Sequence, residues 1–244
     1  MSPDREQIFL KAQAWFRSTI VENHARNTQK LVHPREFNIN PFLAVYLANF
    51  LSGNSKPESI AKALVYPRVL STSITTSFGT NIQKFTSTVL EGFASTTTGI
   101  DIEFIDQVDG RKKYCQIKAG PDTINKDDVE TIAGHFRGVI KLAQTNGLKI
   151  PFDDMVVGLI YGEQKQINGH YKRIQSQYHF PVLAARDFWH RLTGDENFYQ
   201  DLVAAIGSIA ASSNYRDELN LVIKKLAQHE EIIALSETSK AAKK

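Results

Sequence analysis

The sequence predicts an α/β fold: a mixed central β-sheet with flanking helices, preceded by an N-terminal helical subdomain. Three observations predict it. Residues 100–118 read as a β-hairpin, because Asp109-Gly110 is the favoured dipeptide of a tight two-residue turn and strand-like residues flank it on both sides. Residues 155–161 form a continuous apolar run of strand length, as a buried central strand requires. A helical pattern over 126–146 lies between them, so that helix joins two strands of one sheet.

The chain has 244 residues, 42% hydrophobic and 23% charged, which allows a real core in one large domain or a domain with a helical annex. A net charge of +3 permits a nucleic-acid partner without demanding one. The single Cys115 excludes an internal disulfide and fits a reducing compartment. No apolar run is long enough to span a membrane, and Asp4 and Glu6 leave no room for a signal-peptide core. These features predict a soluble intracellular protein.

In chain order, Ile8, Phe9, Ala12, Trp15, Phe16, Thr19 and Ile20 recur at helical spacing and predict a first helix. Polar and basic residues 24–36 read as a loop. Asn40-Pro41 starts a second helix carrying Phe42, Val45, Tyr46 and Phe50, stopped near Gly53. Pro57 opens a short third helix that Pro67 is expected to end. Residues 1–75 thus form the helical subdomain, suited to dimerisation or to flanking contacts. Residues 71–81, dense in hydroxyls and amides, read as a loop running into a helix cap, or as a strand whose polar groups, Asn81 among them, touch phosphates. A helix over 81–90 follows, with Glu91 at its end, and residues 93–99 lead as a short strand into the hairpin.

With a two-residue turn, Asp101 opposes Lys118, Glu103 opposes Gln116, Ile102 opposes Ile117 and Phe104 opposes Cys115. Side chains alternate faces along a strand. One face therefore carries Ile100, Ile102, Phe104, Cys115 and Ile117, and the other carries Asp101, Glu103, Gln116 and Lys118. Two carboxylates, an amide and an ammonium in one cross-strand patch are enough to hold a hydrated cation. The ordinary alternative is a solvated ion pair worth ~0.2–1 kcal/mol. Cys115, turned to the core, is no candidate nucleophile.

After Lys118 the chain leaves the strand through Ala119-Gly120-Pro121, and Asn125 with Asp128 reads as a helix cap with an acidic first turn. His135, Arg137 and Lys141 on that helix read as a solvated face. The segment 162–173 follows the central strand with Lys165, Asn168, His170, Tyr171, Lys172 and Arg173. Amides there can pair with adenine, and the basic groups with guanine or phosphate. The alternative is a solvated loop followed by a helical turn. Residues 180–184 read as an edge strand, 187–210 as a helix broken at Gly194-Asp195, and about 215–235 as a last helix. The domain of the sheet spans 76–235, and 236–244 read as a disordered basic tail.

The arrangement Asp101…Gln116-Ile117-Lys118 resembles the active-site motif of the PD-(D/E)XK nuclease superfamily. With Tyr66-Pro67-Arg68-Val69-Leu70, residues 76–83, Gly99-Ile100-Asp101-Ile102-Glu103 and Cys115 to Pro121, the chain looks like a type II restriction endonuclease of that superfamily over about 37–200. The resemblance implies a restriction-endonuclease-like core and Mg²⁺-dependent, sequence-specific hydrolysis of double-stranded DNA. It further implies a homodimer on a two-fold site, the cytoplasm of a prokaryotic cell, and a cognate DNA methyltransferase in the same system. Asp101, the Gln116 oxygen and the Ile117 carbonyl would hold the metal, and Lys118 would assist the attacking water. Gln116 departs from the family's acidic residue, so Glu103 or Glu91 would supply the missing charge. Asn125, at the start of its helix, would meet the DNA backbone. A structure-specific repair or recombination nuclease would share the hairpin, and a DNA-binding protein with a degenerate site is the non-enzymatic alternative.

Overall fold

The computed structural model describes residues 5–211 and 215–241. It is a mixed α/β structure that separates into two compact units: residues 1–15 with 79–207, and residues 16–78 with 208–244.

The first unit holds the sheet. The chain enters it as helix α1 (Arg5–Trp15). In the second unit a π turn, Phe16–Val21, leads into α2 (Glu22–Lys30), then α3 (Pro41–Ser52) and α4 (Pro57–Pro67). The stretch 24–36, read as a loop, is thus helical as far as Lys30. Apart from buried Thr28 its side chains are exposed or half-exposed, with Glu22 in the first turn and Lys30 in the last, where each suits the helix dipole. Helix α4 ends at Pro67 as expected, but a different helical turn follows it directly. A π turn, Arg68–Thr72, is followed by α5 (Ser73–Thr80). The hydroxyl-rich segment is therefore a helix, neither loop nor strand. Helix α6 (Ile82–Val89) follows, and Glu91–Phe93 make one 3-10 turn. Residues 93–99 form no strand beyond one bridge from Ala94 to Ile102.

Strands β1 (Ile102–Ile105) and β2 (Lys112–Lys118) make the hairpin. Helix α7 (Lys126–Thr145) crosses to β3 (Met155–Leu159), and α8 (Gly169–Tyr178) to the two-residue edge strand β4 (Val182–Leu183). The order is β1-β2-β3-β4, antiparallel in the first pair and parallel in the other two. Such parallel pairs need crossovers, and α7 and α8 provide them. All five residues of β3 are buried, as predicted for a central strand. One sheet face packs on α7 and α8 through Val129, Ile132, Phe136, Val157, Tyr171 and Ile174. The other meets α9 (Ala185–Thr193), where Phe188 stands edge-on to Phe104 and against Gly158. The hairpin's polar face is thus not an open surface: it is the face that α7 covers, with Tyr114 half-buried against that core.

Gly194 at φ +80 ends α9 where the sequence marks a break, and α10 (Phe198–Ala211) follows. The final helical stretch is two helices, α11 (Tyr215–Ala227) and α12 (Glu230–Ala241). Helix α12 continues past Ser236, where a disordered tail was expected, and 242–244 lie outside the described residues. Val222, Ile223, Leu226 and Ile232 share a core with Ala44, Ala48, Ile60 and Val65. The C-terminal helices therefore complete the second unit rather than the sheet unit in which 76–235 had grouped them, and α1 belongs with the sheet. Amphipathic helices declare an apolar face but not which core will receive it.

Candidate active site

The hairpin turn is longer than Asp109-Gly110 alone. Ile102 pairs with Cys115, Glu103 with Tyr114, Phe104 with Lys113 and Ile105 with Lys112. Asp106 closes the loop: its N–H donates to Arg111 O at 2.9 Å, and its carboxylate accepts the Val108 N–H at 2.8 Å. Asp106 is fully buried and paired with Arg191 at 2.6 Å. Buried Lys113 ties the same corner to Asp109 and Asp154, each at 2.7 Å. This acidic–basic corner holds four residues in the turn, and Gly110 adopts φ +69 there. The pairing moves by two residues from the expected one, and a shift of two returns every side chain to its own face. Asp101, Glu103, Gln116 and Lys118 keep a common face, but Lys118 no longer lies directly opposite Asp101.

Asp101, Gln116, Ile117 and Lys118 line one cleft of about 540 Å³ with Gly99, Gln83, Asp128 and His135. Asp101 sits just before β1, and its carboxylate accepts the Ile117 N–H at 2.7 Å. A strand residue points its N–H and C=O to the same side, so the Ile117 carbonyl also faces the Asp101 side. Surrounding protein raises the Asp101 pKa above the ordinary carboxylate value, although the residue is open to solvent. The Ile117 amide, then Lys118 and His135, offset part of that rise. The Lys118 amine has no hydrogen-bond or ion-pair partner among the described residues and is half-buried.

Gln116 is 6% exposed. Its amide nitrogen donates to the Gly99 carbonyl and to His135 Nδ1, the latter at 2.8 Å. The amide oxygen has no protein donor among the described residues and reaches the cleft surface. Gly99 at φ +79 makes this approach possible, since a Cβ there would lie 2.4 Å from His135 Cγ. Cys115 is fully buried, and burial followed by the Asp101 charge pushes its thiol pKa well up, as befits a core residue.

The two acids expected to supply extra charge turn elsewhere. Glu103 accepts from Ser95 and from Thr97 at 2.8 Å and pairs with Lys112. Glu91 is exposed and pairs with Lys11. Asp128 lines the cleft in their place, although one of its oxygens caps α7 at the Asn125 N–H. Asp128, Thr131 and His135 form a stripe at helical spacing beside the apolar face of α7. His135 is exposed, as the solvated-face reading has it, and the polar stripe is the signal that it also borders the cleft.

The other predicted contacts divide. Asn125 caps α7 by accepting from Asp127 and Asp128. Asn168 caps α8 and donates to Asp122 and Ile124. Tyr171 is fully buried, and its hydroxyl donates to Gly120 O at 3.0 Å, so it is a core residue and cannot touch DNA. Arg173 pairs with Glu130 and Gln177, and Lys165 with Glu163. Lys172 is exposed and His170 half-buried, and neither side chain has a polar partner among the described residues. Asn81, half-buried, precedes α6.

The donors that converge on the cleft are a carboxylate, an amide oxygen and a backbone carbonyl. Hard oxygen donors of this kind suit Mg²⁺ or Mn²⁺ and not zinc. Among the described residues, no three His, Cys, Asp or Glu side chains cluster as a metal site, so any ion would rely on the amide and backbone oxygens. An acid beside the start of β1 and an amide and a free amine on β2 therefore meet at one open cleft. The model of the Type II restriction endonuclease EcoO109I family matches residues 38–214, and the chain belongs to that family. No individual curated protein matches it. No helix among the described residues is long and apolar enough to cross a membrane.

Proposed function

We propose that the chain is a type II restriction endonuclease of the PD-(D/E)XK superfamily in a QxK form, hydrolysing double-stranded DNA at a short sequence with Mg²⁺. The observation that carries this reading is the convergence of Asp101, Gln116 and a free Lys118 on one cleft. Asp101, Gln116 Oε1 and the Ile117 carbonyl would hold the ion. When bound, Mg²⁺ supplies a water of lowered pKa and screens the charge developing on the phosphate. Lys118 orients the attacking water, helps to remove its proton and steadies the pentavalent phosphate. Three protein oxygens carry a single formal negative charge, so the substrate phosphate contributes strongly to metal affinity. Lys172 and His170, with Lys165 and Arg173 beside them, contact the duplex.

We further propose a homodimer, because a symmetric protein matches a two-fold DNA site. Helix α3 supports it: Phe42, Tyr46 and Phe50 are 86%, 61% and 80% exposed, and Tyr46 stacks on Phe50. Aromatic surface of this extent is a recognised mark of an interface. The enzyme works in the prokaryotic cytoplasm, where a cognate methyltransferase protects host sites. Incubating the protein and phage DNA with Mg²⁺, against an EDTA control, tests the reading. Discrete bands support it. A smear favours a structure-specific or non-specific nuclease, and intact DNA a non-catalytic binder.

A further inference from the structure

We infer that His135 is the positioning residue that makes Gln116 serve in place of an acid, an inference that rests on the nuclease reading above. The side-chain amide of Gln116 has two hydrogens, and two acceptors meet it: the Gly99 carbonyl and His135 Nδ1. The Gly99 carbonyl can only accept, so the nitrogen must face it. The same orientation makes His135 Nδ1 an acceptor and places the imidazole proton on Nε2. Turning the amide over would set its oxygen against the Gly99 carbonyl oxygen and leave both acceptors without a proton, whichever tautomer His135 adopts. Both hydrogens are therefore committed to protein, and only Oε1 is left for the cleft.

The supporting chain is short and specific. Gly99 permits the ring to approach, because any Cβ at that position would overlap His135. Asp101 lies two residues further on and binds the strand carrying Gln116 through the Ile117 N–H. The carboxylate and amide oxygens are in this way indexed to the same segment of β2. A neutral oxygen is a weaker ligand than a carboxylate, so its orientation matters more. Outer partners of metal ligands typically govern about 10- to 100-fold in metal affinity.

The test uses the full-length protein with Mn²⁺ titrated into the wild type, His135→Ala and His135→Asn. Mn²⁺ binding by calorimetry is read alongside the metal dependence of DNA cleavage. The inference predicts that His135→Ala weakens Mn²⁺ binding about tenfold and shifts the cleavage curve to higher metal. Its cleavage should recover as metal is raised. His135→Asn, whose side-chain oxygen can accept from Gln116, should restore most of the affinity. Long-range ¹H–¹⁵N NMR on the metal-free wild type should show Nδ1 unprotonated. Unchanged affinity in His135→Ala, equal losses in Ala and Asn variants, or a proton on Nδ1 would each overturn the inference while leaving the nuclease reading intact. A wild type that neither binds Mn²⁺ nor cleaves DNA would overturn both.

Discussion

The amide of Ile117 donates to the Asp101 carboxylate at 2.7 Å, so the acid at the end of one hairpin strand is anchored to the other strand, between Gln116 and Lys118. The bond replaces a ladder hydrogen bond at the point where β1 has not yet begun. It costs Asp101 one oxygen and leaves the second for chemistry.

Gln116→Glu should keep metal competence, since a carboxylate oxygen replaces the amide oxygen. It should also destabilise the protein. A carboxylate brings no hydrogen to the Gly99 carbonyl or to His135 Nδ1, and losing two part-buried hydrogen bonds costs about 1–2 kcal/mol. Thermal melts without metal should show the loss, and Mn²⁺ titration should show retained binding.

Glu103 holds structure rather than metal. Burial pushes its pKa up, but the Lys112 ammonium and the Ser95 and Thr97 hydroxyls outweigh that and hold it below the ordinary glutamate value. A lowered folded-state pKa gives stability that is present above the unfolded value, near 4.3, and is lost as pH falls through the folded value. Glu103→Gln should therefore lose about 1–2 kcal/mol at pH 7, with the gap to wild type closing below about pH 4. Metal-dependent cleavage should survive. Denaturant melts across that range, paired with a cleavage assay at neutral pH, check both parts.

Lys113→Ala should be among the more damaging single changes in the hairpin. The lysine is 2% exposed and bonds Asp109 and Asp154, so its removal leaves the buried Asp154 carboxylate with only the looser Arg111 contact at 3.3 Å. Breaking one side of a buried pair typically costs about 3–5 kcal/mol. Urea unfolding should show a reduced midpoint at an unchanged slope.

The face predicted for the dimer is open to a direct check. Phe42→Ser with Phe50→Ser should leave the fold intact, because both rings are exposed. Sedimentation equilibrium should show the double variant shifted toward monomer. A variant as dimeric as wild type would remove α3 from the interface.

Much of this was legible in the residues. Alternation along 100–118 assigns Asp101, Gln116 and Lys118 to one face, and that assignment survives because parity is insensitive to a two-residue shift. Asp109-Gly110 misleads because the turn is decided by Asp106, whose partner Arg191 lies 85 residues away. His135 escapes for a related reason. Its contact is with Gln116 on β2, the strand before α7, and a helix periodicity shows which residues share a stripe but not what the stripe meets. Asn125 reads as a cap from its spacing to Asp128, whereas the cap that Asn168 makes shows only in its bonds to the next amides. Pro67 does end its α-helix, and what escapes is the π turn beyond it, which leaves no trace in composition.

The central claim is that Asp101 and Lys118 act together on a phosphodiester, and a single comparison addresses it. Wild type, Asp101→Ala and Lys118→Ala are each incubated with plasmid DNA and Mg²⁺, with binding followed in parallel in Ca²⁺. The account predicts discrete fragments from the wild type, cleavage lowered by at least about 10³-fold in each variant, and DNA binding largely retained. A fully active Asp101→Ala protein would contradict it and move the active site away from this hairpin.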